Sequence, residues 1–92
     1  MNYEEIIKSP ASKQLKSGKV TRSSGEEVGK HVTSAREEII IVLQGQATAI
    51  LPFETKIISA GQTYYIPPET THNIVNNTDK ELSYIYTVSL FE

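Results

Sequence analysis

The sequence contains no cysteine. This absence excludes disulfide bonds, thiolate nucleophiles and thiolate metal ligands, so any metal ion must be held by nitrogen and oxygen atoms. Long hydrophobic segments are also missing, because the longest aliphatic run, residues 39–43, is far shorter than the ~20 residues of a membrane-spanning helix. The N-terminus is acidic and has no basic start before an apolar stretch. We therefore expect no secretory signal, no membrane partner and a cytoplasmic location.

Neither sign of charge dominates the chain. It has 9 basic and 11 acidic residues, which give a formal net charge of -2, whereas domains that bind nucleic acid normally carry a strong basic excess. No nucleic-acid partner is therefore expected. At 38% hydrophobic residues the chain is too apolar to be disordered, and its 92 residues fit one domain over positions 1–92. So short a chain buries a thin core, which self-association would strengthen.

Short β-type segments separated by turn residues fill most of the chain. Segments of four to six residues alternate with turns rich in glycine, proline or asparagine, at 52–55, 60–61, 67–69 and 76–80. This spacing is typical of an all-β sandwich or barrel, with about eight to ten strands. The exception is the N-terminus, where residues 3–8 are expected to form one helical turn that ends before Pro10.

Residues 34–43 allow two interpretations. Ser34 and Glu37 before an apolar run resemble a capping box that opens a helix. The run itself contains four consecutive β-branched residues and is followed by Gly45, which favours a strand. We predict a strand whose two faces are both apolar and therefore buried, either between two sheets or at a subunit contact. The second possibility, together with the thin core, predicts a homodimer.

Two histidines lie within patterned surroundings. The first reads Gly25-x5-His31-x-Thr33-x4-Glu38-x6-Gly45, over residues 25–45, and the second Gly61-x5-Pro67-x-Glu69-x2-His72-x3-Asn76, over residues 61–76. These patterns resemble the two signature motifs of the cupin superfamily, G-x5-H-x-H-x3/4-E-x6-G and G-x5-P-x-G-x2-H-x3-N. The resemblance covers more than half of the chain and implies a small conserved-barrel, RmlC-like jelly roll, also called a double-stranded β-helix.

The resemblance also implies a metal site. Cupins typically hold one divalent metal through three histidines and one glutamate, and His31, Glu38 and His72 match three of these four ligands. Thr33 stands in the position of the missing second histidine, whereas Glu69 replaces a turn glycine that does not bind metal. Two histidines and one carboxylate suffice for iron, manganese, nickel or zinc with open positions for water or substrate.

The residues themselves support this site. In a strand, His31 and Thr33 lie two residues apart and share one face. Glu38 begins the apolar stripe of Ile40 and Val42, where an unpartnered carboxylate is costly to bury. A bound cation would supply the partner; otherwise Glu38 lies near a rim and stays hydrated.

Fold alone leaves two functions open, because the cupin fold hosts enzymes as well as binding and regulatory domains. One is a metal-dependent enzyme, or a metal-binding relative of one, that acts on or binds a small polar molecule. The other is a metal-free module that holds a sugar or small carboxylic acid. No catalytic acid or base is identifiable beyond the ligand set. Four tyrosines lie either in the core, at an interface or along a ligand cavity, at positions 64, 65, 84 and 86.

Overall fold

The computed structural model describes residues 2–89, which form nine β-strands and no helix. The strands are β1 (Asn2–Ile7), β2 (Leu15–Arg22), β3 (His31–Val32), β4 (Glu38–Gln44), β5 (Gln46–Ile50), β6 (Thr55–Ser59), β7 (Thr63–Ile66), β8 (Thr71–Val75) and β9 (Leu82–Ser89). Within this range, no helical segment meets the length and apolarity that crossing a bilayer requires. The all-β prediction is confirmed. The sequence predicts a closing strand over residues 82–91, and its last two residues lie outside the described range.

The strands form two antiparallel sheets. One has five strands in the order β1-β2-β9-β4-β7, and the other has four in the order β3-β8-β5-β6. The consecutive strands β4 and β5 lie in different sheets, as expected for a jelly roll. Apolar side chains from both sheets pack into one core, which contains Val20, Ile40, Val42, Ala47, Ala49, Ile58, Ile74, Leu82 and Tyr84.

The predicted N-terminal helical turn is wrong. Residues Asn2–Ile7 form strand β1, which pairs antiparallel with β2 and places Tyr3 opposite Val20. A helix of six residues is marginal in water, because its costly first turn is followed by very few stabilising hydrogen bonds. Pairing with the edge of an existing sheet satisfies the same backbone groups at once.

Strand β4 confirms the choice of strand over helix for the aliphatic run. Its inner face is fully buried, with Ile40 and Val42 both at 0% exposure. The outer face is not covered, since Ile39, Ile41 and Leu43 are 39%, 37% and 46% exposed. The expectation that both faces are buried between two sheets is therefore wrong for the outer face. The physical reason is that the second sheet covers one side of a five-stranded sheet only.

Candidate metal centre

The two histidines face each other across adjacent strands. His31 in β3 is directly opposite His72 in β8 in the antiparallel register. Residues opposite each other in a ladder point to the same side, and the two imidazole rings lie with centroids 4.0 Å apart at 65°. Strand pairing therefore brings together two residues that are far apart in the sequence.

Backbone carbonyls determine the tautomer of both histidines. Nδ1 of His31 lies 2.9 Å from the carbonyl oxygen of Gly29, and Nδ1 of His72 lies 3.0 Å from that of Thr70. A carbonyl can only accept, so each Nδ1 carries the proton and donates it. In the neutral rings Nε2 is then left with a free lone pair. Such a bond from the second nitrogen is common behind metal-binding histidines, because it fixes ring orientation.

The third member of the cluster comes from the opposite sheet. Glu38 is the first residue of β4, and its Oε1 lies 3.6 Å from Nε2 of His72. One ligand atom from each of Glu38, His31 and His72 falls within 4.8 Å of the other two. Exposure within the cluster rises from His72, which is buried, through Glu38 to His31, which is exposed. The structure thus brings together all three residues selected from the sequence.

The electrostatics of His72 reflect this neighbourhood. Burial lowers the pKa of His72, but the facing carboxylate of Glu38 and the carbonyl of Thr70 raise it, and the net pKa lies above its ordinary value. Nε2 is buried and has no hydrogen-bond partner among residues 2–89. An unpaired polar atom in the interior is costly, and a cation between it and Glu38 would satisfy both groups. The three side chains therefore fit a divalent metal.

Thr33, in the position of the missing histidine, has another role. Its side chain is buried, and its hydroxyl donates to the carbonyl of Pro67 at 2.7 Å and accepts from the N–H of Thr70 at 3.0 Å. The Thr33 N–H also donates to the carbonyl of Thr70, which in turn orients His72. Thr33 therefore hydrogen-bonds to the backbone segment that positions the candidate ligand His72. This role has no signal in the sequence, because it depends on carbonyls placed by folding.

Glu69 departs from the cupin pattern at a turn, as expected. It adopts φ 56°, the left-handed region where glycine is favoured, and its N–H donates to the carbonyl of Ser34 at 2.6 Å. The substitution changes the turn before β8 and leaves the ligand atoms untouched.

A cavity of about 350 Å³ opens beside the cluster. His31 and Glu38 line it, together with cationic and aromatic side chains from β1, β2, β9 and the loop before β4: Tyr3, Lys16, Arg22, Arg36, Tyr84 and Tyr86. Burial raises the pKa of Tyr84 and of Tyr86 well above the ordinary tyrosine value, so both hydroxyls stay protonated. Tyr84 belongs to the buried core and Tyr86 packs against it. Both tyrosines also line the cavity. The sequence carries no signal for the three cations, because they occupy none of the fixed positions of the two motifs.

Comparison with known proteins agrees with this architecture. A family model described as the cupin domain matches residues 18–88. The chain belongs to the cupin family. The match begins within β2 and ends within β9, so it includes both motifs and all three clustered residues of this cupin.

Solved structures share the fold at low identity. A predicted oxalate decarboxylase from Thermotoga maritima superposes with a TM-score of 0.88 at 20% identity, covering 97% of this cupin and 79% of that chain. KdgF from Halomonas sp. gives a TM-score of 0.82 at 21% identity, covering 98% and 78%. The Cnp3 cupin domain of Schizosaccharomyces pombe gives 0.85 at 16% identity, covering 97% and 60%. At these identities the likeness concerns the fold alone.

One similar protein comes from an archaeon. An uncharacterised protein of Methanocaldococcus jannaschii is 45% identical over 47 residues, which are 51% of this cupin and 36% of the relative. The aligned part therefore spans little more than a third of that relative's length.

Proposed function

We propose that this cupin binds one divalent transition metal per chain through His31, Glu38 and His72. The observation that carries the proposal is the buried Nε2 of His72, which has no hydrogen-bond partner in the described part of the chain and faces a carboxylate. The donated Nδ1 protons of both histidines support it, because they leave Nε2 free for a metal.

The ligand set suits iron, manganese, nickel or zinc. Two imidazoles and one carboxylate would provide three protein ligands and would leave further coordination positions for water or a small molecule. A metal held there acts as a Lewis acid, or as a redox centre if it is iron or manganese. We propose that the cavity admits a small polar molecule, which this cupin binds or transforms.

A metal titration tests the proposal. His31→Ala, Glu38→Gln and His72→Ala are each expected to weaken binding of manganese, iron(II), nickel or zinc by ~10-fold or more, because each removes one of three ligands. Metal content of the purified protein and calorimetric titration measure the effect. Glu37→Gln is the matched control, since Glu37 accepts a hydrogen bond from Tyr65 outside the cluster.

The result separates the two candidate functions. Stoichiometric metal in the wild type and in Glu37→Gln, with loss in the three ligand variants, supports the metal site. Equal metal content in all five proteins, or none in the wild type, contradicts it and favours the metal-free binding module. The cavity would then bind a sugar or small carboxylic acid without a metal and without catalysis.

We further propose that the protein is a cytoplasmic homodimer, without a nucleic-acid or membrane partner. The exposed aliphatic face of β4 supports the dimer, because an apolar stripe of Ile39, Ile41 and Leu43 is costly to leave in water. The low net charge argues against nucleic acid.

A further inference from the structure

The segment that leads into β3 runs beside β8 and contains one extra residue. Glu27 forms an isolated bridge with Val75, whereas His31 lies directly opposite His72. Four residue steps on one side of the pairing therefore match three on the other. A β-bulge of this kind disrupts the ladder locally and changes the direction of nearby side chains. The bulge lies immediately before the candidate ligand His31.

Gly29 lies within this bulge and uses both of its backbone polar groups. It has φ 111°, in the region that favours glycine. Its N–H donates to Oδ1 of Asn73 at 2.9 Å, so a side chain of β8 takes the hydrogen bond in place of a backbone carbonyl. Its carbonyl accepts from Nδ1 of His31 at 2.9 Å. Asn73 and His31 are thus connected through a single residue.

The two histidines differ in how firmly the fold holds them. His72 is buried, and its Nδ1 donates to the backbone carbonyl of Thr70. His31 is exposed and lies in β3, a strand of two residues at the edge of the four-stranded sheet. Packing contributes less to the orientation of an exposed ring. The orientation of His31 therefore depends more on the hydrogen bond at its Nδ1.

Asn73 is itself well anchored. It follows His72 in β8, and its backbone is paired with Ile50 in β5. Successive side chains of a strand point to opposite faces, so Asn73 lies on the face of the sheet away from the cluster. One strand therefore carries one candidate ligand and also the support of the other.

We infer that Asn73 is a positioning residue for His31 and acts through the backbone of Gly29. By accepting from the Gly29 N–H, Asn73 holds the bulge in the conformation in which the Gly29 carbonyl faces Nδ1 of His31. This carbonyl keeps the proton on Nδ1 and leaves the lone pair of Nε2 free for a metal. The inference rests on the proposed function, and it names a residue that supports one of the three proposed ligands.

The tautomer of His31 tests this role without a metal. Nitrogen NMR spectra of the metal-free protein, at a pH where both imidazoles are neutral, show which ring nitrogen carries the proton. We expect Nδ1 in the wild type, and a shift of the proton toward Nε2 of His31 in Asn73→Ala and in Asn73→Leu, which is similar in size to asparagine. His72 is expected to keep its tautomer, because Thr70 holds it. Asn73→Asp retains an acceptor oxygen and is expected to restore His31.

Zinc titrations measure the consequence for the proposed ligand set. Asn73→Ala and Asn73→Leu are each expected to weaken zinc binding by ~10-fold, the loss typical when a metal-bound histidine loses its outer partner. Thr71→Ala is the matched control, because Thr71 lies on the same face of β8 and is also adjacent to His72 in sequence. It is expected to bind zinc as the wild type does and to keep the His31 tautomer.

Outcomes for Asn73 and for the metal are separable. A wild-type His31 protonated at Nε2, or Asn73 variants with the same His31 tautomer as Thr71→Ala, overturns the inference even if zinc binds normally. A loss of zinc binding without a change of tautomer also overturns it, because it indicates a general loss of structure. A tautomer change confined to His31 in a protein that binds no zinc supports the role of Asn73 and contradicts the proposed metal function.

Hydrogen exchange in the wild type covers the case in which the Asn73 variants do not fold. The amide hydrogen of Gly29 exchanges slowly if its bond to Asn73 is maintained in solution. A protected amide supports the inference, and an amide that exchanges as fast as those of exposed loops overturns it.

Discussion

At the scale of single residues, Thr33 replaces an expected ligand with a positioning group. Its hydroxyl bridges the carbonyl of Pro67 and the N–H of Thr70, and the Thr70 carbonyl holds the ring of His72. A side chain in a ligand's usual position can therefore serve the metal cluster through the backbone. The three remaining candidate ligands become more dependent on this support.

Thr33→Val is expected to lower the free energy of unfolding by ~1–3 kcal/mol, because it leaves the buried N–H of Thr70 and the partly buried carbonyl of Pro67 without this hydroxyl. It is also expected to weaken metal binding, since Thr70 no longer holds His72 as firmly. Chemical denaturation and metal titration measure the two effects. Thr33→Ser keeps the hydroxyl and is the control; if Thr33→Val matches it in metal affinity, Thr33 does not position His72.

The raised pKa of His72 predicts how binding depends on pH. A proton on Nε2 competes with the metal, so metal affinity is expected to fall as the pH drops through this raised pKa, already above the ordinary value of ~6.5. Titrations between about pH 5.5 and 8 measure this dependence. An affinity that stays constant across this range contradicts the assignment of His72 as a ligand.

The folding stability of the metal-free protein has the opposite dependence on pH. Because the folded-state pKa is raised, the pair of protonated His72 and Glu38 stabilises the fold fully below the unfolded pKa, and this stability is lost as the pH rises through the folded pKa. Glu38→Gln removes the facing charge, so its stability is expected to change less over the same range.

At the scale of elements, the β4–β5 connection depends on Gly45. It has φ 78°, and a Cβ atom placed there would collide with the backbone carbonyl of Glu81. The chain passes from one sheet to the other at this point. Gly45 must therefore both adopt the turn conformation and lie close to the loop before β9.

Gly45→Ala is therefore expected to lower the free energy of unfolding by more than the ~1–2 kcal/mol of a left-handed backbone alone. Gly61→Ala is the matched control, because Gly61 has φ 86° and, apart from its own atoms and those of its chain neighbours, no heavy atom of residues 2–89 lies within 4 Å of a Cβ built there. Denaturation curves compare the two variants. Equal losses would show that the contact with Glu81 relaxes without cost.

At the scale of the whole molecule, the outer face of β4 predicts assembly. Ile41→Lys places a charge in the exposed aliphatic stripe and is expected to shift the protein from dimer to monomer in sedimentation. Ile57→Lys, in β6 of the other sheet, is the control and is expected to remain dimeric. A wild-type protein that sediments as a monomer at micromolar concentration contradicts the homodimer.

The cluster of His31, Glu38 and His72 also joins the two sheets, because Glu38 lies in the five-stranded sheet and both histidines lie in the four-stranded sheet. A metal that binds only the folded state stabilises this arrangement by mass action. The same geometry explains why the sequence indicated these candidate ligands through their resemblance to the cupin motifs but not their mutual distance.

The sequence by itself determined the β-class, most turn positions and the inner face of β4. These features follow from local properties, namely β-branched runs, alternation with a period of two and turn residues at regular intervals. The resemblance to the two cupin motifs also selected His31, Glu38 and His72, which the structure brings together.

Tertiary structure alone decided the remaining features. The N-terminal segment became a strand because the edge of β2 was available for pairing, and no local pattern carries that information. Likewise, the role of Thr33 and the presence of Lys16, Arg22 and Arg36 around one cavity depend on strand register and on which sheet covers which face. Such contacts join residues distant in sequence, and only the folded chain sets their distances.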